Sequence, residues 1–257
     1  MGKNVSKSSL ARANQDRDYH IFEEYAYYLV SEARQKRVNH IFKLGGNVYA
    51  FDSTTIDLCL SVFWWAKFRK KKGGIKVHTL YDVETQIPAF FHITEASVHD
   101  SKAMIEIPYE PGSYYIFDRG YNNFKMLNRI HLIEAYFVVR AKKNLQCKFI
   151  KWKRRLPKNV LSDASVLLTG FYPKQYYPEP IRLVKYWDEE QEREFIFITN
   201  AMHISALQVA ELYKNRWQVE LFFKWLKQHL RIKRFWGTTE NAVRIQIYAA
   251  ICTYCLV

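Results

Sequence analysis

The chain has 257 residues, 49% of them hydrophobic, which is enough to bury a large core in one domain or in one domain with an insertion. The 39 Lys and Arg outnumber the 25 Asp and Glu, and the formal net charge of +14 favours a polyanionic partner. Nucleic acid is the first candidate partner and an anionic membrane surface is the second. The longest apolar run, 242–257, is too short to span a bilayer, and the start MGKNVSKSSLARANQDRD is not a signal peptide, so a cytoplasmic protein is expected.

The first part of the chain predicts a helix followed by three strands. Residues 15–37 place apolar side chains at helical spacing, and a Gly-Gly break then leads into the strand NVYAFDSTTIDL. This strand is predicted to be buried, with Asp52 at or near its end. The segments IKVHTLYD and IPAFFHITEA predict a second and a third strand, joined by a turn at 83–86. Consecutive strands with short connections indicate an antiparallel arrangement.

The middle of the chain predicts a parallel strand–helix–strand unit. The apolar run in PGSYYIFDRGY ends at Asp118, a helical pattern follows in NNFKMLNRIHLI, and AYFVVRAK is the next strand. From about 144 to 194 the segments become short, alternating and rich in proline, which predicts a β-rich insertion. The expected fold is therefore α/β, with a mixed sheet flanked by helices.

The stretch 205–230 predicts one helix of about seven turns. It begins with a capping-box pattern at Ser205 and contains neither proline nor glycine. Most of its surface is apolar, but a narrow polar stripe carries four side chains, which are Tyr213, Arg216, Glu220 and Lys227. Such a stripe indicates either a cleft or, alternatively, only an Arg–Glu pair on a surface helix.

Three carboxylates of the predicted elements can meet at one place. If the first and fourth predicted strands are neighbours, Asp52 and Asp118 lie together at the carboxyl ends of the sheet strands, where α/β folds place their sites. The stripe of the long helix can add Glu220. Oxygen ligands suit Mg²⁺ or Mn²⁺, and two such ions about 4 Å apart can serve phosphoryl transfer.

Three segments resemble one family, the DDE insertion-sequence transposases of the IS-four type, which have a ribonuclease H-like fold. The segments are FDST around Asp52, FDRGY around Asp118, and YKNRWQVELFFKWLKQ with its Tyr, Arg, Glu and Lys at fixed offsets. The resemblance implies a catalytic domain over 45–257, with the β-rich insertion at about 144–194 before the glutamate helix. Residues 1–44 then form an N-terminal helical segment.

The resemblance also implies a role for each matching residue. Asp52, Asp118 and Glu220 would be the catalytic carboxylates and would hold two Mg²⁺ ions, or Mn²⁺ in their place. A further set would bind DNA phosphates, and its members are Tyr213, Arg216, Lys227, Arg140 and Lys142. The implied reaction is cleavage of a phosphodiester bond at the element end, followed by attack of the freed 3′-OH on target DNA.

The partners implied by the resemblance are double-stranded DNA, both terminal inverted repeats and target DNA, and a second copy of the chain in a DNA-bound homodimer. A bacterial, nucleoid-associated location follows. Compared with the family, the chain is expected to be shortened at both ends. Two alternatives are an inactive DNA-binding remnant of a transposase and a ribonuclease H-like nuclease without strand transfer.

Overall fold

The computed structural model describes residues 5–37, 41–59, 61–69, 72–229 and 235–257. Its helices are α1 (Lys7–Asp16), α2 (His20–Lys36), α3 (Phe124–Leu132), α4 (Phe171–Tyr176), α5 (Ala206–Lys214), α6 (Trp217–His229) and α7 (Glu240–Leu256). Its strands are β1 (Val48–Leu58), β2 (Lys67–Arg69), β3 (Lys72–Asp82), β4 (Ile87–Glu95), β5 (Tyr114–Phe117), β6 (Tyr136–Arg140), β7 (Cys147–Trp152), β8 (Val160–Leu168), β9 (Ile181–Asp188) and β10 (Arg193–Thr199). Within the described ranges, no helix has the length and apolar character needed to cross a membrane.

The chain is divided into two compact units. The first comprises Met1–His40, Ser53–His99 and Val219–Val257, and the second comprises Ile41–Asp52 and Asp100–Gln218. Strand β1 and helix α6 each run from the second unit into the first. Each unit is described by itself below.

The first unit combines an antiparallel hairpin with helices. Strands β3 and β4 pair in the antiparallel direction, which confirms the predicted second and third strands. Helix α2 packs against α7 and β4, and it confirms the helix expected within 15–37. Arg34 of α2 forms an ion pair of 2.9 Å with the buried carboxylate of Asp82 at the end of β3. The hydrophobic pattern does not mark helix α1 within the predicted helical segment 1–44, because α1 has no buried residue and its sequence is mostly polar.

The second unit contains a mixed sheet in the order β1, β5, β6, β10, β9, β8, β7. The first three strands are parallel, and the others join by antiparallel pairing. All four residues of β5 are buried, as the residues of a strand covered on both faces must be. The predicted parallel unit is therefore confirmed as β5, α3 and β6. Strands β7 to β9 and the short helix α4 confirm the β-rich insertion.

The first strand is longer than the sequence suggested. Asp52 was expected at or near the strand end, but β1 continues to Leu58. Its parallel pairing with β5 ends at Phe51, so Asp52 follows directly after the paired segment. The extension has a physical reason, because half of the β1 residues after Asp52 are β-branched and their burial alternates along the strand.

The prediction of one long helix over 205–230 is wrong. The structure has two helices, α5 and α6, separated by a turn at Asn215 and Arg216, and Leu230 lies outside the described residues. The Asn215 side chain explains the interruption. Its amide nitrogen donates to the Glu211 carbonyl, while its oxygen accepts from the Gln218 side chain. Such local bonds compete with the helical pattern, and the backbone tightens into i to i+3 bonds at Arg216 and Gln218. The predicted capping box at Ser205 and Gln208 is confirmed.

Candidate active site

Two neighbouring parallel strands of the second unit position a pair of aspartates. Strand β1 pairs with β5, and the last pair in register joins Phe51 to Phe117. Asp52 is the next residue of β1, and Asp118 is the first residue after β5. Because adjacent strands lie about 4.8 Å apart, both carboxylates belong to the same end of this strand pair. The expected neighbourhood of the first and fourth predicted strands is confirmed.

The end of α5 and the turn after it bring two further predicted residues to these aspartates. The Tyr213 hydroxyl donates a hydrogen bond of 2.7 Å to Oδ1 of Asp118. Nη1 of Arg216 lies 2.7 Å from Oδ2 of Asp52, and the exposed fractions of the two side chains are 15% and 23%. The Tyr213 ring is buried against Phe195 and Phe197 of β10. The sheet therefore fixes the tyrosine that holds Asp118.

The electrostatic surroundings keep Asp118 ionised. Burial raises the pKa of its carboxyl group, but four other influences lower it and together prevail. These are the Tyr213 hydroxyl, the backbone N–H of Arg119, and the positive charges of Arg216 and Arg140. Burial also raises the pKa of Tyr213, with the Asp118 charge as the next cause, to about 12. Tyr213 thus remains a neutral hydrogen-bond donor to a charged acceptor.

Three residues of the DRGYNN segment form hydrogen bonds at or beside the candidate site, although the sequence analysis predicted no role for them. The Tyr121 hydroxyl donates to Oδ1 of Asp52 at 3.4 Å. The Asn122 side-chain amide donates at 2.8 Å to the carbonyls of Arg119 and Arg140, which ties the turn after β5 to the end of β6. Arg119 itself donates from Nε to the Ala141 carbonyl at 3.2 Å. The signal available in the sequence was the polar and aromatic run that follows Asp118 directly.

The remaining predicted residues occupy two different places. Arg140 ends β6, lies over the ring of Phe195 at 4.9 Å from its centroid, and lowers the pKa of Asp118 by its charge. Lys142 is exposed in the loop after β6. Glu220 and Lys227 are exposed residues of α6 and belong to the first unit. Among the residues that the structure describes, no group of three or more His, Cys, Asp and Glu side chains is arranged to hold a metal ion.

Comparison with known proteins gives the family. Residues 43–256 match the family model described as the transposase DDE domain. The chain belongs to this family. The mixed sheet and helices agree with the ribonuclease H-like fold of DDE transposases, and membership implies in general a dependence on divalent metal ions. The donor chemistry fits such ions, because Asp52 and Asp118 offer the oxygen ligands that hard cations prefer.

Three relatives are transposases by name. A putative transposase of Sinorhizobium fredii is 37% identical over 212 residues, which are 80% of this chain and 58% of that protein. A probable insertion-sequence transposase of Geobacillus stearothermophilus is 27% identical over 97% of this chain and 66% of its own length. A putative insertion-sequence transposase of Synechocystis is 27% identical over 98% of this chain and 71% of its own length. The DDE chain therefore spans less than two thirds of the length of the first two relatives.

Proposed function

We propose that this DDE chain carries the catalytic centre of a DNA transposase. It would hydrolyse phosphodiester bonds at the ends of an insertion element, in cut-and-paste transposition. The freed 3′-OH would then attack a phosphodiester of target DNA, which joins the element to the target and releases the target's own 3′-OH. The observation that carries the proposal is the position of Asp52 and Asp118, each directly after the paired segment of one of two parallel strands. Tyr213 bonds Asp118 and Arg216 bonds Asp52, and both belong to the Tyr, Arg, Glu and Lys pattern of the family. Family membership supports the same reaction class, that of a polynucleotidyl transferase and endonuclease.

The proposed metal ligands are Asp52, Asp118 and Glu220. The cofactor would be Mg²⁺, with Mn²⁺ able to replace it, and two ions would be bound. Divalent ions at such a site activate the attacking oxygen and stabilise the leaving oxygen of the phosphodiester. The lowered pKa of Asp118 supports this assignment, because a carboxylate must be deprotonated to bind a metal. The role of Glu220 rests on its place in the family pattern.

Four basic side chains and one tyrosine are proposed to contact DNA. Arg216 has the planar fork that matches a phosphate, and Lys227 would act as a point charge on a neighbouring phosphate. Arg140 and Lys142 would contact the DNA backbone from the end of β6. Tyr213 would act beside the scissile phosphate while its hydroxyl holds Asp118.

The proposed partners are the terminal inverted repeats of the element and target DNA, both double-stranded, with a homodimer forming on the DNA. The net charge of +14 supports a polyanionic partner, since Lys and Arg displace counterions from DNA phosphates. The proposed location is the bacterial cytoplasm, in association with the nucleoid.

Cleavage of DNA by the purified chain tests the function. We expect the wild type to nick supercoiled plasmid, and to cut a linear duplex bearing the element ends, with Mg²⁺ or Mn²⁺. Glu220→Ala is expected to abolish both activities, because a metal ligand is lost. Glu211→Ala is the matched control, since it removes an exposed carboxylate of α5 and should leave cleavage unchanged. Binding of DNA without cleavage, equal in wild type and Glu220→Ala, would instead identify a DNA-binding remnant.

The Tyr213 hydroxyl predicts a change in pH dependence. In Tyr213→Phe, Asp118 loses a hydrogen bond that lowers its pKa, while the burial that raises the pKa remains. The pKa of Asp118 should therefore rise, and the acidic limb of the cleavage–pH profile should move to higher pH. We expect about a tenfold loss of activity at the acidic end of the profile and a smaller loss at alkaline pH.

A second tyrosine variant controls for the loss of a hydroxyl. Tyr172 is 65% exposed on α4, so Tyr172→Phe should leave the pH profile in place. A Tyr213→Phe profile that falls by the same factor at every pH would show that this hydroxyl does not set the charge of Asp118.

A further inference from the structure

The bond between Arg216 and Asp52 places a cation on a proposed metal ligand. Nη1 lies 2.7 Å from Oδ2, a length typical of a charge-assisted hydrogen bond, and both side chains are mostly shielded from solvent. The position of Arg216 is fixed by the turn between α5 and α6, where its backbone N–H donates to the Tyr213 carbonyl. The pair is therefore part of the local architecture of the second unit.

A divalent ion and a guanidinium compete for the same carboxylate. Two positive charges on one carboxylate repel each other, and partial burial weakens the screening of that repulsion by water. The ion would bind Asp52 at full strength only after Arg216 has moved away. Tyr213 differs in this respect, because it is a neutral donor to Asp118 and adds no positive charge.

Arg216 has a second acceptor in the proposed function, the phosphate of bound DNA. A guanidinium fork matches the oxygens of a phosphate as well as those of a carboxylate. We propose that Arg216 couples divalent-metal binding to DNA binding, by leaving Asp52 for a DNA phosphate and so releasing the carboxylate for the ion. This inference rests on the proposed function. It makes the DNA substrate a condition for tight metal binding, and by linkage the metal strengthens DNA binding equally.

Binding of Mn²⁺ to the full chain tests the coupling, with the free ion measured by electron paramagnetic resonance. In the absence of DNA, Arg216→Gln should bind Mn²⁺ on the order of tenfold more tightly than the wild type, because the competing cation is gone. Arg193→Gln is the matched control. It removes the same charge from an arginine that stacks on Phe195 at 4.4 Å, and it should bind Mn²⁺ as the wild type does.

The second part of the experiment repeats the Mn²⁺-binding measurement in the presence of a saturating DNA duplex. The same duplex without protein serves as the blank for Mn²⁺ held by DNA alone. After this correction, the duplex should raise the Mn²⁺ affinity of the wild type about tenfold and that of Arg216→Gln much less. Arg216→Lys keeps a cation and should give an intermediate affinity, so it replaces Arg216→Gln if that variant does not fold.

The outcomes separate the coupling from the proposed function. If Asp52→Asn loses Mn²⁺ binding but the wild type and both Arg216 variants bind equally without DNA, the coupling is wrong and the metal site stands. If Asp52→Asn binds Mn²⁺ as tightly as the wild type, the metal assignment is wrong and the coupling fails with it.

Discussion

Asp118→Asn is expected to lower metal-dependent DNA cleavage by at least about a thousandfold, measured as the single-turnover rate of plasmid nicking. The substitution keeps the shape of the side chain, and the Tyr213 hydroxyl can still donate to the amide oxygen. The substitution removes the negative charge of a carboxylate that stays ionised in the folded chain despite burial. Metal ions contribute several kcal/mol to phosphoryl transfer, and each 1.36 kcal/mol is a factor of ten in rate.

An exposed aspartate of the same strand pair provides the control for Asp118→Asn. Asp57 lies on β1, five residues after Asp52, and its side chain is exposed. Asp57→Asn should therefore nick plasmid at the wild-type rate. Thermal unfolding of both variants should match the wild type, which separates lost chemistry from lost structure. Cleavage that persists in a folded Asp118→Asn chain would remove this residue from the proposed metal site.

The sequence predicted most elements of the fold because their signals are local. The hairpin of β3 and β4, the parallel unit of β5, α3 and β6, and the insertion each have a hydrophobic period and a turn that mark them. The break between α5 and α6 could not be predicted from a hydrophobic period or from a turn signal. It depends on the side-chain bonds of Asn215, and a helical pattern permits asparagine without revealing which partner it will choose.

The sequence predicted the two aspartates of the candidate site, but it predicted only some of the side chains that are bonded to them. Both acids follow apolar runs of the sequence, and α/β folds form sites at the carboxyl ends of strands, so the sequence predicts the neighbourhood that the pairing of β1 and β5 produces. A continuous helix placed Tyr213 and Arg216 on one stripe, whereas the structure gives each a different aspartate. The bond from Tyr121 to Asp52 depends on the short turn after β5, which leaves no periodic signal in the sequence.

Arg182→Met is expected to reduce the free energy of unfolding by about 3–5 kcal/mol. Arg182 is 2% exposed and pairs with both oxygens of the buried Asp163, each at 2.7 Å. Its Nη1 also donates to the carbonyls of Ala201 and Ile204, at 3.1 and 2.6 Å. It therefore ties the insertion to the loop that enters α5, the helix of Tyr213. Methionine leaves Asp163 with Lys153, whose side chain is half exposed.

Urea unfolding measures this effect, and an exposed ion pair provides the control. Lys158 and Glu189 lie 3.1 Å apart with exposed fractions of 83% and 56%, so Lys158→Met should leave the free energy of unfolding nearly unchanged. The double variant Arg182→Met with Asp163→Leu should recover part of the loss, because it removes the buried charge. Equal stability of Arg182→Met and Lys158→Met would contradict a structural role for the buried pair.

The pH dependence of the Arg182→Met effect follows from Asp163. Burial raises the pKa of this carboxyl group, but the bonds and charges of Arg182 and Lys153 outweigh it and lower the pKa in the folded chain. A lowered folded pKa contributes stability that is present above the unfolded value and lost as the pH falls through the folded value. Without Arg182 that contribution shrinks, and protonation of Asp163 becomes easier. The stability difference between wild type and Arg182→Met should therefore be largest near neutral pH and should narrow as the pH falls below the ordinary aspartate value of 3.8.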